Sequence, residues 1–435
     1  MINLHDEIES LIQKIGEDYN VLAYVYNGKN FIEGETPVYY SGPYWDNEEA
    51  IAGVDSLLTG KWISAGEKVK EFEKSFANKI NQLFGTMVNS GSSANLIMIG
   101  ALKKYFQWED NDEIIVSVVG FPTTISVIIQ NNLKPVFIDI ELETLNFDLS
   151  LIEEKITNKT RAIFVSPVLG NSPDFDRILF LCEKYNLKLI LDSCDSLGSK
   201  WEDKYLVEYA VASSHSFYPA HTISTGEGGM ITTNIREVSN LAKSLSSWGR
   251  GCVCSGVENL LPNGICNHRF DKWLENYDGI VDHKYVFNNM GYNLKPLDLQ
   301  GSIGLIQLSK LDEIISKRNN SKNKISAIFN KYLSNIYTPN QLQKSETSWF
   351  GTPLLCESKE QKQKLVSCLE KNKIQTRNYF AGNILIHPGY SHLGNFSQYP
   401  NANQVLDRVF FLGASPHYDD KVFNYIEKIV SEFVE

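Results

Sequence analysis

Along most of the chain, stretches with apolar residues at helical spacing alternate with short continuous apolar runs. Val69, Phe72, Phe76 and Ile80 recur at helical spacing, which predicts an amphipathic helix with one apolar face. Short aliphatic and β-branched runs at 114–119, 135–140, 162–165 and 187–191 predict strands that are buried on both faces. Regular alternation of strand and helix predicts an α/β fold, with a mostly parallel sheet covered by helices.

The same pattern divides the chain into three parts. Residues 1–40 mix polar and aromatic positions and are predicted to form an amino-terminal extension. Residues 41–310 carry the regular alternation and are predicted to form a large domain. Beyond them, after a charged helix through Arg318, the alternation loosens. Residues 311–435 are therefore predicted to form a smaller α+β domain.

Composition narrows the class of protein. With 435 residues, 43% of them hydrophobic, the chain can bury a large core. The net charge is -11 and no dense block of lysine and arginine occurs, so nucleic acid and anionic membranes are not expected partners. The amino terminus is acidic and polar, and no run of about eighteen apolar residues exists. We expect a soluble cytoplasmic protein with small-molecule partners.

The first segment with candidate chemistry is Asn-Ser-Gly-Ser-Ser-Ala-Asn at 89–95, which precedes an apolar helix. Gly91 allows close approach of a ligand to the backbone, and Ser92 and Ser93 supply hydroxyl groups. A helix amino terminus also favours an anion, so a phosphate would fit there. An ordinary helix cap has the same composition, and the segment alone leaves both interpretations open.

Two further segments follow predicted strands. Phe121, in Gly-Phe-Pro-Thr-Thr at 120–124, could stack on a planar ligand or belong to the core. Asp192 ends an apolar strand, where side chains point into the crevice in which α/β sheets bind ligands. Its carboxylate could pair with a protonated pyridine nitrogen. Together with the first segment, this order predicts a phosphorylated pyridine as ligand.

The fourth segment, at 216–229, reads Ser-Phe-Tyr-Pro-Ala-His-Thr-Ile-Ser-Thr-Gly-Glu-Gly-Gly. Ser216 can donate to a phosphate, and His221 can accept and donate protons. Histidine has no primary amine, so it cannot condense with an aldehyde as a lysine would. A histidine buried in the core for structural reasons is the alternative interpretation of His221.

These segments, with Gly-Tyr-Asn-Leu-Lys-Pro-Leu-Asp at 291–298 and Arg-Asn-Tyr-Phe-Ala-Gly-Asn at 377–383, resemble the DegT/DnrJ/EryC1-type sugar aminotransferases. These are fold-type I pyridoxal phosphate (PLP) enzymes. His221 in place of the family's lysine resembles the 3-dehydratase branch. The run 282–285, the pair 382–383 and the region of Cys252 resemble most closely its CDP-4-keto-6-deoxyglucose-3-dehydrases.

The resemblance implies a role for each site residue. Gly91, Ser92, Ser93 and Ser216 would hold the cofactor phosphate. Phe121 would stack on the ring, Asp192 would face the pyridine nitrogen, and Asp195 would lie near the ring hydroxyl. The sites of this family form at the interface of a homodimer, and Asn293 would reach the phosphate of the neighbouring subunit.

The implied activity is 3-dehydration of a nucleotide-linked 4-keto-6-deoxyhexose, CDP-linked by resemblance, in deoxysugar or surface polysaccharide biosynthesis. Pyridoxamine phosphate (PMP) would react with the 4-keto group, and His221 would transfer a proton to the departing hydroxyl of the third carbon. A lysine would also capture the cofactor aldehyde and drive transamination. Glutamate or a reductase partner would regenerate PMP. A catalytically inactive PLP-binding sensor or scaffold and a sugar aminotransferase remain the alternatives.

Seven cysteines in one chain favour free thiols or a metal site over a disulfide framework. The resemblance implies a loop with four cysteines that hold a [2Fe-2S] cluster. This loop offers three, Cys252, Cys254 and Cys266, and Val257 stands where another is expected. A valine cannot ligate iron, so we favour absence of the cluster, with His268 as a substitute ligand being the alternative. The remaining cysteines and His215 are expected to be structural.

Overall fold

The protein is described by a computed structural model that covers residues 4–19, 31–252 and 268–434. Within these residues the helices are α1 (Leu4–Tyr19), α2 (Asn47–Thr59), α3 (Glu67–Lys79), α4 (Gly91–Tyr105), α5 (Pro122–Gln130), α6 (Phe175–Tyr185), α7 (Arg236–Ser246), α8 (Asp298–Ser309), α9 (Leu311–Tyr332), α10 (Lys359–Lys371), α11 (Pro400–Arg408) and α12 (Asp420–Val434). The strands are β1 (Phe84–Val88), β2 (Glu113–Ser117), β3 (Lys134–Ile138), β4 (Thr160–Val165), β5 (Lys188–Asp192), β6 (Lys200–Trp201), β7 (Lys204–Tyr205), β8 (Ala212–Ser216), β9 (Gly229–Thr233), β10 (Ser345–Glu346), β11 (Gly351–Leu355), β12 (Thr376–Asn378) and β13 (Val409–Gly413).

A seven-stranded sheet forms the centre of the large domain. Its order is β1-β9-β8-β5-β4-β2-β3. The pairs β2–β3, β2–β4, β4–β5 and β5–β8 are parallel, and β9 is antiparallel to both of its neighbours. The predicted α/β fold with a mostly parallel sheet is therefore confirmed.

Both faces of this sheet are buried, because successive side chains of each strand point to opposite sides. Ile114 and Val116 of β2 pack in one hydrophobic cluster with α4 and α5, whereas Ile115 packs in a second cluster with α3 and α6. A parallel strand that is covered on both sides needs apolar side chains on both faces, as residues 114–116 of β2 show. This requirement explains the continuous apolar runs of the sequence.

The smaller domain is built on the antiparallel sheet β11-β13-β12, with a hydrophobic cluster of its own. Val38, from the segment before the large domain, pairs with Ile374 and belongs to this cluster. Helix α9 joins the two domains: Leu311 packs in the core of the large domain and Phe329 in that of the small one. The predicted limit at residue 310 lies between α8 and α9, and the domain limits remain predictions.

A third, short sheet has the order β10-β6-β7. In the described part of the chain, no helix combines the length and the apolar character that a membrane crossing requires.

The parallel strands place their carboxyl ends at one edge of the central sheet. Asp192 is the last residue of β5 and Ser216 the last of β8, and Ser166 follows β4. Strand β1 ends at this edge as well and leads into α4. The four sequence segments with candidate chemistry therefore meet at one edge, where α/β sheets bind ligands.

Candidate active site

A cavity of about 490 Å³ opens at this edge of the sheet. The predicted site residues that line it are Gly91, Ser92, Phe121, Asp192, Asp195, Ser216 and His221. Further lining residues include Tyr40, Ser90, Asn95, Thr123, Ser166, Cys194, Tyr218, Glu227, Phe350 and Phe380. Among the described residues that line this cavity, none is a lysine.

The floor of the cavity is tightly packed around Gly91. A Cβ atom on Gly91 would lie 2.5 Å from Cβ of Ser216 and 3.0 Å from Sγ of Cys194. Carbon atoms do not approach each other to 2.5 Å without a bond, so only glycine fits between α4 and the end of β8. The backbone at the start of α4 consequently remains accessible to a ligand.

The start of α4 is capped from within. The Ser90 hydroxyl oxygen accepts a hydrogen bond from the Ser93 amide at 3.1 Å, and it donates to the Ser93 hydroxyl at 2.9 Å. The Ser92 hydroxyl contacts that of Thr123 at 3.3 Å and lines the cavity. Ser92 is thus placed to meet an anion at the positive end of the helix, whereas Ser93 takes part in the cap.

Asp192 is buried and accepts hydrogen bonds on both carboxylate oxygens. Its Oδ2 accepts from Nδ2 of Asn95 at 2.8 Å and from the Thr124 hydroxyl at 2.7 Å. Its Oδ1 accepts from the Cys194 amide at 3.2 Å and, more weakly, from the Ser214 hydroxyl at 3.4 Å. These donors fix the carboxylate at the cavity wall in one orientation.

His221 faces a second carboxylate. Its Nδ1 lies 3.5 Å from Oδ1 of Asp195, is buried, and has no hydrogen-bond partner. The other oxygen of Asp195, Oδ2, accepts from the Leu169 amide at 3.1 Å. Because Asp195 lies on the Nδ1 side of the ring, Nε2 is left as the nitrogen that can exchange a proton with a ligand.

Burial shifts both members of this pair towards their neutral forms. Burial raises the pKa of Asp195 to about 7, and the nearby charge of Asp192 acts in the same direction. Burial also lowers the pKa of His221 to about 3, and the positive charge of Arg318 adds to that effect. His221 is therefore a neutral imidazole at neutral pH, with a pKa well below the ordinary value of about 6.5.

Arg318, on α9, lies directly behind the His221 loop. It is 1% exposed. Its Nη2 donates to the carbonyls of Ala220 and His221, both at 2.9 Å, and its Nη1 donates to the carbonyl of Phe350 at 3.1 Å. The main chain that carries His221 is thereby attached to the helix that joins the two domains.

Aromatic rings form the remaining wall. Phe121, at the amino-terminal cap of α5, is 51% exposed and meets Phe380 edge-to-face with 6.1 Å between ring centroids. Phe350 lies 5.3 Å from the His221 ring. Phe121 is therefore a cavity-wall residue rather than a core residue, which leaves its face free for a planar ligand.

Several predicted residues lie away from the cavity or outside the described part. Asn293 does not line it; its Oδ1 accepts from Nζ of Lys295 at 2.5 Å. Cys252 is half-buried, whereas Cys254, Cys266 and Val257 lie outside the described residues. In the described part, no group of three or more possible metal ligands occurs.

His268, the predicted substitute ligand, is 79% exposed and pairs with Asp271. Its side chain therefore already has a carboxylate partner at 2.8 Å. His215, predicted to be structural, is fully buried, contacts the Phe76 ring and shares a hydrogen bond with Thr232.

The model of the DegT/DnrJ/EryC1/StrS aminotransferase family matches residues 45–431. The chain belongs to this family. The resemblance inferred from the sequence motifs is thus confirmed.

Two curated relatives match most of the chain. This chain is 36% identical over 413 residues to a dTDP-4-dehydro-2,6-dideoxy-D-glucose 3-dehydratase of Saccharopolyspora spinosa. The alignment covers 93% of this chain and 88% of the relative. The chain is 32% identical over 440 residues to the lipopolysaccharide biosynthesis protein RfbH of Salmonella typhimurium. This second alignment covers 99% of this chain and 98% of that protein.

Solved structures share the fold. An E. coli GDP-4-keto-6-deoxy-D-mannose-3-dehydratase with bound hydrated PLP matches with a TM-score of 0.79 and 27% identity, over 91% of this chain and all of that one. A GDP-4-keto-6-deoxymannose-3-dehydratase with a trapped PLP-glutamate geminal diamine matches with a TM-score of 0.78 and 27% identity, over 92% of this chain and all of that one.

Proposed function

We propose that this chain is a PMP/PLP-dependent 3-dehydratase of a nucleotide-linked 4-keto-6-deoxyhexose, with His221 as the catalytic base. The observation that carries the proposal is the cavity wall. A buried carboxylate, a helix amino terminus and a histidine converge on one cavity, and no lysine is among the described residues that line it. The two curated relatives also support the proposal, since one is a 3-dehydratase and the other belongs to lipopolysaccharide biosynthesis.

The residues present fit the cofactor. The start of α4, with Gly91 and Ser92, forms a cradle for a phosphate, and Ser216 lies against it. Asp192 presents a fixed carboxylate to a ring nitrogen, and the exposed face of Phe121 can cover the ring. When bound there, PMP would supply a primary amine and an electron-accepting ring.

His221 carries the proton in this proposal. As a neutral imidazole it can accept at Nε2 the proton that the 4′ carbon of bound PMP would give up. The same nitrogen can then donate that proton to the hydroxyl that leaves from the third carbon of the sugar, so that water departs. One residue serves as base and acid in succession. Since no lysine is among the described residues that line the cavity, no amine there would compete for the cofactor aldehyde, and dehydration is favoured over transamination.

Asp195 lets the imidazole take up that proton. When His221 becomes positively charged, an ionised Asp195 at 3.5 Å from Nδ1 stabilises it. Burial raises the pKa of Asp195 to about 7, so this carboxyl can lose its proton near neutral pH. We propose Asp195 as the partner of His221, in addition to the position near the ring hydroxyl that the family resemblance implies.

The CDP-linked sugar is our first choice of substrate, and dTDP- and GDP-linked sugars are the comparison set. Glutamate is proposed as the amine donor that regenerates PMP, in keeping with the PLP-glutamate adduct trapped in one related dehydratase. A reductase partner is the alternative means of regenerating PMP. A homodimer, with Asn293 directed to the neighbouring subunit, completes the proposal.

An iron-sulfur cluster would extend the reaction to a reduction of the dehydrated product. We propose a dehydratase that works without it, since the loop with Cys252, Cys254 and Cys266 holds three thiols and Val257. Analysis of iron and acid-labile sulfide in anaerobically purified protein tests this. Stoichiometric iron and sulfide would overturn that part of the proposal and leave the dehydration unaffected.

The main experiment combines covalent trapping with isotope exchange. After incubation with PLP and sodium borohydride, no lysine of the cavity should carry the cofactor. With PMP and CDP-4-keto-6-deoxyglucose in labelled water, the protein should exchange the oxygen of the third carbon. The matched control is His221→Asn, which keeps a polar side chain of similar size but cannot act as base, and it should not exchange.

The alternatives give different results in the same experiment. A PLP-binding sensor or scaffold would bind the cofactor, and neither the wild type nor the variant would exchange oxygen. A sugar aminotransferase would be fixed to the cofactor by borohydride and would transfer the amino group of glutamate to the keto sugar. Either outcome in the wild type would refute the proposed dehydratase.

A further inference from the structure

A buried cation with no carboxylate in direct contact lies behind the proposed base, and Asp195 interacts with its charge at longer range. Arg318 is 1% exposed, and in the described part of the chain no carboxylate oxygen lies within 4.0 Å of its guanidinium. Its Nη atoms donate only to main-chain carbonyls, and its Nε has no hydrogen-bond partner. A buried charge is costly unless it is paired. A function that requires the charge would explain why an arginine occupies this position.

The guanidinium fixes the base and one wall of the cavity at the same time. Two of its three acceptors are the carbonyls of Ala220 and His221, and the third belongs to Phe350, whose ring lies 5.3 Å from the His221 ring. The Ser41 hydroxyl also donates to the Ala220 carbonyl at 2.8 Å. Small displacements of a catalytic group lower the reaction rate strongly. The three hydrogen bonds from Arg318, which we call the clamp, restrain the main chain of the base directly.

Arg318 differs from the other titratable groups near His221 because it carries a permanent positive charge. Several titratable groups surround the His221–Asp195 pair. They are Asp192 at the end of β5, Cys194 after it, Tyr218 and Glu227 around the His221 loop, Tyr40 before α2, Tyr379 after β12, and Arg318 of α9. Arg318 is the one permanent cation in this set. A cation disfavours a protonated imidazole and favours an ionised carboxyl.

We propose that Arg318 is a positioning residue for the proposed dehydration: it holds the main chain of His221 in place, and its charge keeps the imidazole in the proton-accepting form. This inference rests on the proposed function of His221. Burial lowers the pKa of Arg318 to about 10, so the guanidinium remains charged at any pH at which the enzyme would work.

Two substitutions separate the clamp from the charge. Arg318→Met removes both. Arg318→Lys keeps a charge but cannot donate to three carbonyls in the geometry of a guanidinium. Lys322→Met is the matched control: Lys322 lies one turn further along α9, is 3% exposed, and donates to Asn340 away from the cavity. Thermal unfolding of each variant shows whether it is folded.

The first readout is the protonation of His221 itself, followed by NMR in the protein without cofactor and assigned with His221→Asn. In the wild type and in Lys322→Met, the midpoint of the His221 titration should lie below pH 5, and it is followed over the whole pH range in which the protein stays folded. In Arg318→Met its midpoint should move up by about one pH unit or more, the size of effect that a nearby charge produces. In Arg318→Lys it should stay low.

The second readout is the pH profile of kcat/KM for oxygen exchange from CDP-4-keto-6-deoxyglucose. The acidic limb should move to higher pH in Arg318→Met and remain in place in Arg318→Lys, while both variants lose about tenfold or more in kcat because the clamp is gone. Folded Arg318→Met with an unchanged His221 titration and acidic limb would overturn the inference. An inactive wild type would instead refute the proposed function, and the NMR titration would still test Arg318.

Discussion

Replacing Asp192 by asparagine tests whether its charge supports the cofactor. The substitution keeps the size of the side chain but removes the negative charge from a position that is 4% exposed. An amide has one acceptor oxygen, whereas the carboxylate accepts on Oδ2 from Asn95 and Thr124 and on Oδ1 from Cys194. One set of donors must therefore face an NH2 group, and a protonated ring nitrogen loses its ionic partner.

The magnitude follows from the kind of interaction lost. A hydrogen bond to a charged group contributes about 1.5–3 kcal/mol, and about 1.4 kcal/mol corresponds to a factor of ten in rate. We expect Asp192→Asn to lower kcat for dehydration by at least about tenfold and up to about 150-fold. Binding of the cofactor phosphate, which uses the start of α4, should change much less.

Thr124→Val provides the matched control. It removes one neutral donor, at 2.7 Å from Oδ2 of Asp192, and leaves the charge in place. Because the negative charge that faces the ring nitrogen is retained and Asn95 still donates to Oδ2, kcat should fall less than in Asp192→Asn. Stopped-flow measurement of single-turnover dehydration with saturating PMP separates the chemical step from cofactor loss. A rate for Asp192→Asn within threefold of the wild type, with cofactor bound, would refute the proposed role of the carboxylate.

Further predictions concern the base, the phosphate cradle and the acid stability. His221→Lys should become covalently attached to PLP after borohydride reduction, detected by mass spectrometry, and should lose most of the dehydratase activity, because the lysine amine competes for the cofactor; full retention of dehydration would remove His221 from its proposed role. Gly91→Ala should weaken PLP binding and cost about 1–3 kcal/mol of stability, since its Cβ would lie 2.5 Å from Cβ of Ser216; cofactor titration by fluorescence measures the first effect, and unchanged affinity would contradict the cradle. Burial lowers the pKa of His215 to about 3, whereas its unfolded value is about 6.5. The unfolded state therefore binds the additional proton as the pH falls, and stability is lost below about pH 6.5. His215 accounts for a loss of about 2 kcal/mol in the free energy of unfolding between pH 7.5 and 5.0. Urea unfolding of His215→Gln should therefore show a correspondingly smaller loss of unfolding free energy over that range. Equal losses in both proteins would count against a neutral buried His215.

The sequence predicts the central sheet and the location of the site because both depend on local patterns. Continuous apolar runs identify buried parallel strands, and the polar residue that ends each run must lie at the common carboxyl edge. Asp192 is an example, and the structure brings it to the cavity together with Ser216, the last residue of β8. Asn95 and Thr124 lay within the recognised motifs, but their contact with Asp192 joins residues 97 and 68 positions apart. No local pattern encodes such a contact.

Arg318 shows why the rest could not be predicted. In the sequence it belongs to a charged helix, and charged helical residues are usually exposed. Here α9 crosses from the core of the large domain to that of the small one, so this turn of the helix is buried behind the His221 loop. Burial of that residue depends on how the domains pack, which periodicity alone does not reveal.

Asp192 and Asp195 lie on one turn, yet their surroundings assign them different tasks. Asp192 accepts from donors on both oxygens and is directed at the cavity wall. Asp195 accepts one main-chain hydrogen bond on Oδ2 and turns Oδ1 towards Nδ1 of His221. Burial raises the pKa of Asp195 to about 7, which suits a group that gains and loses a proton during turnover. In the proposed function, the short sequence Asp-Ser-Cys-Asp would thus supply a fixed carboxylate for the ring and a proton-exchanging one for the base.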